Sequence, residues 1–211
     1  MTKSTWRLPY ESRSHSQHGE DGILEFLTTK LGIDKGWCFE FGAAGGTRFS
    51  NTLALIEKGW HGLYAEPDPR YRPALEALAA RWPNLSVMFT WIGFGTDLIA
   101  GAPIVHPDAA LQAAGFPIDF DFMSIDTEGI DYATWSMVRM FRPRIVLVEI
   151  NSSHIGYMQA MVDLGFRMRY TCLGHCGNLI FVRDEDFKRL GIARSEIEPA
   201  ESLYTPDESG W

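Results

Sequence analysis

Four side chains that carry oxygen atoms follow two apolar, strand-like segments of the sequence. Asp126 and Glu128 come after the first segment, and Glu149 and Asn151 end the second with the same spacing. Residues at positions i and i+2 of an extended strand point to the same side, and adjacent parallel strands would bring all four into one crevice. Carboxylate and amide oxygens are ligands that Mg²⁺ prefers. The pattern indicates either a magnesium site or, in the preferred interpretation, no metal, with carboxylates that hold loop amides and strand backbone.

A glycine-rich turn and a later acid indicate a ligand that contains a nucleoside. The turn follows a short strand and carries Glu40, Gly42 and Gly45, where small residues let a ligand approach the backbone closely. Glu66 ends the next strand, 26 residues after Glu40, where an acidic side chain can accept both hydroxyls of a ribose. The turn lacks the Gly-Lys-Ser/Thr of a P-loop and the G-x-G-x-x-G spacing of a dinucleotide site. A tight turn without a ligand is the alternative.

Three histidines lie close to these segments in the sequence. His154 follows the second strand-like segment by a few residues and is the preferred imidazole base. His15 and His18 lie near the N-terminus and could reach the mouth of a cofactor site. A surface position is the alternative for each of them.

Strand-like and helix-like segments alternate along the chain, which predicts βαβ units and a mostly parallel sheet. The predicted strands are 37–41, 61–65, 85–91, 120–125 and 145–150, followed by an antiparallel hairpin of 166–172 and 178–182. The clearest predicted helices are 19–31, 132–141 and 155–164, the last of them closed by Gly165. The stretch 93–117 is rich in glycine and proline and carries one short helix candidate, 108–114.

Composition bounds the class of protein. The 211 residues are 45% hydrophobic and 22% charged, with a net charge of −8, so we expect a folded domain and no nucleic-acid partner. No apolar run reaches the roughly 20 residues of a membrane span, and the first residues show no signal peptide. Three cysteines suit a reducing compartment, so the expected location is the cytoplasm. We expect one domain, 1–211, with an N-terminal helical cap (1–35) and a polar tail (195–211).

Six segments in a fixed order provide the most specific pattern. They are 16–21 (SQHGED), 39–43 (FEFGA) with 50–52 (SNT), 59–67 (GWHGLYAEP), 121–132 (DFMSIDTEGIDY), 148–151 (VEIN) and 177–183 (GNLIFVR). Together they resemble the FkbM-like S-adenosylmethionine-dependent methyltransferases. The resemblance implies a Rossmann-like α/β fold: a mostly parallel seven-stranded sheet with an antiparallel last strand and helices on both faces. It also implies S-adenosylmethionine as cofactor and O-methylation of a sugar or small-molecule hydroxyl.

The resemblance also implies which residues bind the cofactor. Glu66 would hold the ribose, Asp126 would lie beside the sulfonium, and Gln17 and Glu20 would close the site from the N-terminal side. The full implied set is Gln17, Glu20, Glu40, Gly42, Ala43, Gly45, Ser50, Asn51, Glu66, Pro67 and Asp126.

Methyl transfer to an alcohol requires that the acceptor be aligned and its proton removed. Asp126, Glu128 and His154 are the predicted catalytic residues. A nicotinamide-dependent oxidoreductase is an alternative, because Glu66 would suit a ribose there too. A catalytically silent, methyltransferase-like partner subunit is the non-enzymatic alternative. The oligomeric state is open.

Overall fold

A computed structural model describes residues 14–95, 98–99, 101–149 and 155–192. Its strands are β1 (Trp37–Phe41), β2 (His61–Ala65), β3 (Leu85–Met88), β4 (Trp91–Ile92), β5 (Leu98–Ile99), β6 (Ala102–Val105), β7 (Phe122–Ile125), β8 (Ile145–Glu149), β9 (Tyr170–Cys176) and β10 (Asn178–Arg183). Its α-helices are α1 (Glu20–Leu31), α2 (Leu53–Glu57), α3 (Arg72–Arg81), α4 (Pro107–Ala113), α5 (Asp131–Met137), α6 (Ile155–Arg167) and α7 (Asp184–Leu190), with a 3-10 helix at Pro69–Tyr71.

Seven strands form one twisted sheet in the order β3-β2-β1-β7-β8-β10-β9. The pairs from β3 to β8 are parallel, whereas β10 runs antiparallel to both β8 and β9. The last strand therefore inserts between its two neighbours in the opposite direction. The predicted fold class, a mostly parallel seven-stranded sheet with an antiparallel last strand, is confirmed.

Helices cover both faces of this sheet. Side chains alternate along β1, so that Cys38 packs with α1, α2, α3 and α7 on one face. Phe39 and Phe41 point to the opposite face and pack with α4, α5 and α6. Burying one large apolar side chain stabilises the fold by about 1.5–3 kcal/mol. The central strands β7 and β8 are buried on both faces. Such strands read as continuous apolar runs, which is why the segment 145–150 is easy to identify.

The middle of the chain differs from the expectation. The predicted strand 85–91 ends at Met88, and Trp91 starts β4 of a separate small sheet with the order β4-β6-β5. This sheet and α4 fill the stretch 93–117, for which only a short helix was predicted. Its two-residue strands are too short to show a period of two.

Two helix ends also differ from the prediction, and one helix was not predicted. Gly165 does not close α6, which continues to Arg167. A Cβ on Gly165 would lie 2.6 Å from Phe181, so the glycine allows the helix to pack closely on the sheet. Helix α5 ends at Met137 rather than at 141, because Val138 is extended. Helix α7 was not predicted.

The structure describes part of the expected N-terminal cap and none of the predicted C-terminal tail. Within the expected cap, α1 buries Ile23, Leu24, Leu27 and Leu31 against the sheet. The predicted polar tail, 195–211, lies outside the described residues. Among the helices of the described ranges, none has the length and apolar character needed to cross a membrane.

Candidate active site

The glycine turn lies at the edge of the sheet where β1, β2 and β7 end. The amide of Gly42 donates to Ala65 O (3.0 Å), and the amide of Asp126 donates to Phe41 O (3.1 Å), so the turn is held between both neighbouring strands. Gly42 has a φ of +75°, and a Cβ there would lie 1.7 Å from Asp126 O. Only glycine fits this position, because both the backbone conformation and the close approach exclude a side chain.

Glu66 joins the glycine turn to the segment after β2. Its Oε2 accepts a hydrogen bond from Ala44 N (2.7 Å), and its Oε1 accepts one from Asp68 N (2.7 Å). A carboxylate has about four acceptor positions. Among the described residues these two N–H groups are its hydrogen-bond donors, so about two positions stay available to a ligand. Two neighbouring hydroxyls, as on a ribose, match that capacity.

Glu40 is buried and holds the residues that follow the glycine turn. Its Oε1 accepts from Asn51 N (2.9 Å), and its Oε2 accepts from the hydroxyls of Ser50 (2.7 Å) and Thr52. Burial raises the pKa of Glu40, and the hydrogen bonds from Thr52, Asn51 and Ser50 oppose that rise. Both oxygens are thus engaged within the chain, which gives Glu40 a positioning role from the side of the sheet.

Two strand residues extend this buried network. The register places Tyr64 of β2 and Ser124 of β7 on either side of Glu40. The Tyr64 hydroxyl lies 3.0 Å from Ser50 Oγ, and Asn51 Nδ2 donates to Ser124 Oγ (3.0 Å). The start of α2 is therefore fastened to three adjacent strands.

A carboxylate pair lies where β7 and β8 end. Asp126 and Glu149 share a side-chain hydrogen bond. The pKa of Asp126 is raised to about 8, first because burial disfavours its charged form and then because the Glu149 carboxylate is adjacent. Burial also raises the pKa of Glu149. Asp126 is therefore largely protonated at neutral pH.

The loop after β7 turns away from the extended geometry that the sequence predicted. Glu128 has a φ of +55° and is exposed, so the extended i, i+2 geometry predicted for Asp126 and Glu128 does not form. The Glu128 carboxylate nevertheless contributes to the raised pKa of Asp126. Asp131 holds this loop: it accepts hydrogen bonds from Thr127 N (2.7 Å), Thr127 Oγ1 (2.8 Å) and Gly129 N (3.2 Å). The Tyr157 hydroxyl of α6 also donates to Asp131, at 3.2 Å.

The magnesium alternative finds no support in this geometry. Among the described residues, no three His, Cys, Asp or Glu side chains are arranged to hold a metal ion. Of the four proposed ligands, Glu128 is exposed and Asn151 lies outside the described residues, as does the predicted base His154.

The N-terminal segment 14–19 is fixed against the same edge of the sheet. Asp21 Oδ2 accepts from the amides of Ser14 (2.8 Å), His15 (2.9 Å) and Ser16 (2.9 Å). Phe49 N, in the loop after the glycine turn, donates to His15 O (2.9 Å). The segment therefore contacts the loop that carries Gly42 and Gly45.

The other predicted cofactor residues have varied surroundings. Glu20 is completely buried and accepts from His18 N (2.8 Å) and Asn178 Nδ2 (2.7 Å), so its contacts lie within the chain. Gln17 is exposed, and Pro67 is half-buried beside Glu66. Ala43 is buried, and its amide donates to Ala65 O at 3.4 Å.

Sequence reasoning missed several residues that shape the site. Asp131 and Tyr64 lie within segments that resemble the methyltransferase family, and this position is the signal that could have identified them. Tyr157 and Asn178 reach the edge of the sheet from distant elements, and no local spacing indicates their partners.

Comparison with known proteins supports the fold. No family model and no curated sequence matches the chain. A putative caffeoyl-CoA O-methyltransferase from Staphylococcus aureus is 11% identical, with 81% of this chain and 85% of that chain covered and a TM-score of 0.52. An O-methyltransferase from Bacillus cereus in complex with SAH is 15% identical, with 82% and 84% covered and a TM-score of 0.48. The first likeness shows that the chain has the Rossmann-like fold of these proteins.

Proposed function

We propose that the chain is an S-adenosylmethionine-dependent methyltransferase whose cofactor binds across the carboxyl ends of β1, β2 and β7. The geometry at Glu66 carries this proposal. The carboxylate holds the glycine turn through Ala44 N and keeps acceptor positions for two ribose hydroxyls. The confirmed sheet topology supports it, because ligands of open α/β sheets bind at the carboxyl ends of the strands.

The residues at this edge fit the other parts of the cofactor. Gly42, Ala43 and Gly45 provide close backbone approach for the methionine moiety, and Glu40 fixes the turn from below through Ser50 and Asn51. The Asp126–Glu149 pair places two acidic side chains in a partly buried position. A sulfonium cation bound beside them would favour their ionised forms and would be stabilised by the resulting charge.

The finer assignment is an FkbM-like O-methyltransferase that acts on a sugar or small-molecule hydroxyl. Residues of the six family-like segments meet at one edge of the sheet: Asp21, Glu40, Asn51, Glu66, Asp126, Glu149 and Asn178. The chain's own task is to align the acceptor and take its proton, since the bound donor is already activated. The net charge of −8 argues against nucleic acid, and three free cysteines suit the cytoplasm.

Calorimetric titration with S-adenosylmethionine, S-adenosylhomocysteine and NADH tests the cofactor. We expect the two sulfur ligands to bind and NADH not to bind. Glu66→Gln should weaken S-adenosylhomocysteine binding by about 10- to 100-fold, because hydrogen bonds to a charged group contribute about 1.5–3 kcal/mol. Asp68→Asn is the matched control: this carboxylate is occupied by Arg70, and the variant should bind normally. NADH binding alone, or unchanged affinity in Glu66→Gln, would overturn the proposal.

Labelled methyl transfer to a panel of hydroxylated sugars and phenols tests the acceptor class. We expect the labelled methyl group to be found in an ether linkage on the acceptor. S-adenosylhomocysteine should accumulate in an equal amount. Matched amines are added to the panel, and label on these amines with none on a hydroxyl oxygen would refute O-methylation and leave the cofactor assignment intact.

A further inference from the structure

The N-terminal segment 14–19 spans the edge of the sheet from the glycine turn to the β9–β10 hairpin. At one end His15 O accepts from Phe49 N. At the other end the His18 ring lies directly on Gly177, where a Cβ would come within 2.0 Å of His18 Nδ1. Gly177, with a φ of +79°, therefore leaves the space that the imidazole fills.

The contact with the hairpin connects His18 to the carboxylate pair through Gly177 and Asn178. Gly177 precedes Asn178, which is directly opposite Glu149 in the antiparallel register of β10 and β8. Directly opposite residues of an antiparallel pair have Cα atoms about 4.5–5.5 Å apart. Glu149 in turn shares a hydrogen bond with Asp126. The imidazole thus lies at the end of a continuous row of contacts that leads to the proposed sulfonium position.

The His18 ring has one buried edge and one exposed edge. Nδ1 is buried and lies 3.6 Å from Glu20 Oε1, while 43% of the side chain is exposed. The exposed edge is therefore the one that carries Nε2. Glu20 is completely buried and cannot turn away, because it accepts from Asn178 Nδ2 (2.7 Å) and from the His18 amide (2.8 Å). Nδ1 has no hydrogen-bond partner in the described part of the chain, and a fixed carboxylate 3.6 Å away favours the tautomer with the proton on Nδ1, which leaves Nε2 able to accept a proton.

We propose that His18 Nε2 accepts the proton of the acceptor hydroxyl and that Glu20 is the positioning residue that keeps the ring proton on Nδ1. The inference rests on the proposed function and names a different base from His154. As the acceptor oxygen bonds to the methyl carbon, the carbon–sulfur bond breaks, its electron pair stays on sulfur, and the hydroxyl proton passes to Nε2. The products are a methyl ether, a neutral thioether and an imidazolium.

Nuclear magnetic resonance of the imidazoles tests the placement without an acceptor. The probes are S-adenosylhomocysteine and sinefungin, which carries an ammonium where the methyl group would be. His18→Gln assigns the signal among the six histidines. We expect the neutral His18 ring to be the Nδ1–H tautomer and its signals to move on saturation, more with sinefungin. The control His61 stacks on Trp37 at the amino end of β2 and should not move.

Two results would overturn the assignment of His18. One is an Nε2–H tautomer, and the other is unmoved His18 signals while calorimetry shows that S-adenosylhomocysteine is bound. Absence of binding would instead refute the proposed function itself, so the two failures are distinguishable.

Kinetics with the sugar or phenol methylated fastest in the panel tests the proton transfer. His18→Gln should bind S-adenosylhomocysteine within about twofold of wild type, with kcat lowered at least about 100-fold and KM for the acceptor little changed. His61→Gln should keep wild-type kcat. A kcat of His18→Gln within threefold of wild type would overturn the proposal.

Discussion

Binding of S-adenosylmethionine should release a proton from Asp126, whereas binding of S-adenosylhomocysteine should not. The two ligands differ by one methyl group and one positive charge on sulfur. The pKa of Asp126 is raised to about 8 by burial and by the adjacent Glu149 carboxylate, so about nine-tenths of this carboxyl carries a proton at pH 7. A sulfonium near it favours the ionised form, and an uncharged thioether does not.

The number of protons released follows from the pKa of Asp126 before and after the cofactor binds. An opposite charge within about 4–6 Å lowers a carboxyl pKa by about one to three, which places the pKa of Asp126 between about 5 and 7 in the complex. The release at pH 7 is then about 0.4 to 0.9 protons per bound cofactor. It should decline towards pH 4.5, where both states are protonated, and towards pH 9.5, where both are ionised.

Calorimetry in buffers of different ionisation enthalpy measures this release directly. Asp126→Asn should abolish the difference between the two ligands. Asp121→Asn is the matched control, because Asp121 precedes the same strand at its opposite end and burial also raises its pKa. Equal proton release by both ligands at pH 7 would refute the placement of the sulfonium beside Asp126. Persistence of the difference in Asp126→Asn would assign the proton to another group.

Three further outcomes are expected. Gly42→Ala should lower the free energy of unfolding, measured in urea, by about 2–5 kcal/mol, because the left-handed backbone is strained and the new Cβ overlaps with Asp126 O. The control Gly45→Ala should change it by less than about 1 kcal/mol, because its Cβ would lie 3.9 Å from Tyr71. The free energy of unfolding should fall as pH rises from about 4 to about 8, since native Asp126 keeps a proton there that the unfolded chain releases. Asp126→Asn should reduce this slope, and a free energy of unfolding that does not change with pH would contradict the prediction. Removing divalent cations with EDTA should leave S-adenosylmethionine affinity unchanged, and a loss above about threefold would show that a metal takes part.

Local signals in the sequence predicted the central strands well. β1 and β2 have the predicted bounds, because each is a short, mainly apolar segment bounded by glycine or proline: Gly36 and Gly42 for β1, and Gly59 and Pro67 for β2. The strands of the small sheet could not be predicted, since two or four residues show no usable period and their pairing is tertiary. Gly165 illustrates the same limit: as a local signal it ends a helix, yet contacts with Phe181 and Trp135 keep it inside one.

The residues of the candidate site also divide into those that local sequence predicts and those that it does not. Glu40 and Glu66 were identified from their position at the ends of strands, which depends only on neighbouring sequence. The backbone conformation at Glu128 was mispredicted, because β7 ends at Ile125 and Glu128 has a φ of +55° instead of an extended backbone. The partner of Glu20 is Asn178, 158 residues away, so no spacing rule could supply it.

Buried carboxylates hold four segments of the proposed site in place within the described part of the chain. Asp21 binds the amides of 14–16, Glu40 binds 51, Glu66 binds 44 and 68, and Asp131 binds 127 and 129. Each is a charge-assisted hydrogen bond of about 1.5–3 kcal/mol that offsets the cost of burying the charge.

This arrangement has a functional consequence. Loops tied by side chains to their own amides are ordered before the ligand arrives, so binding does not have to supply the free energy of ordering them. Glu40, which accepts three hydrogen bonds from within the chain, therefore serves geometry. The acids with acceptor capacity left or with a shared proton, Glu66 and the Asp126–Glu149 pair, are the ones that can respond to a ligand. The ribose and the sulfonium are the two cofactor groups whose chemistry matches them.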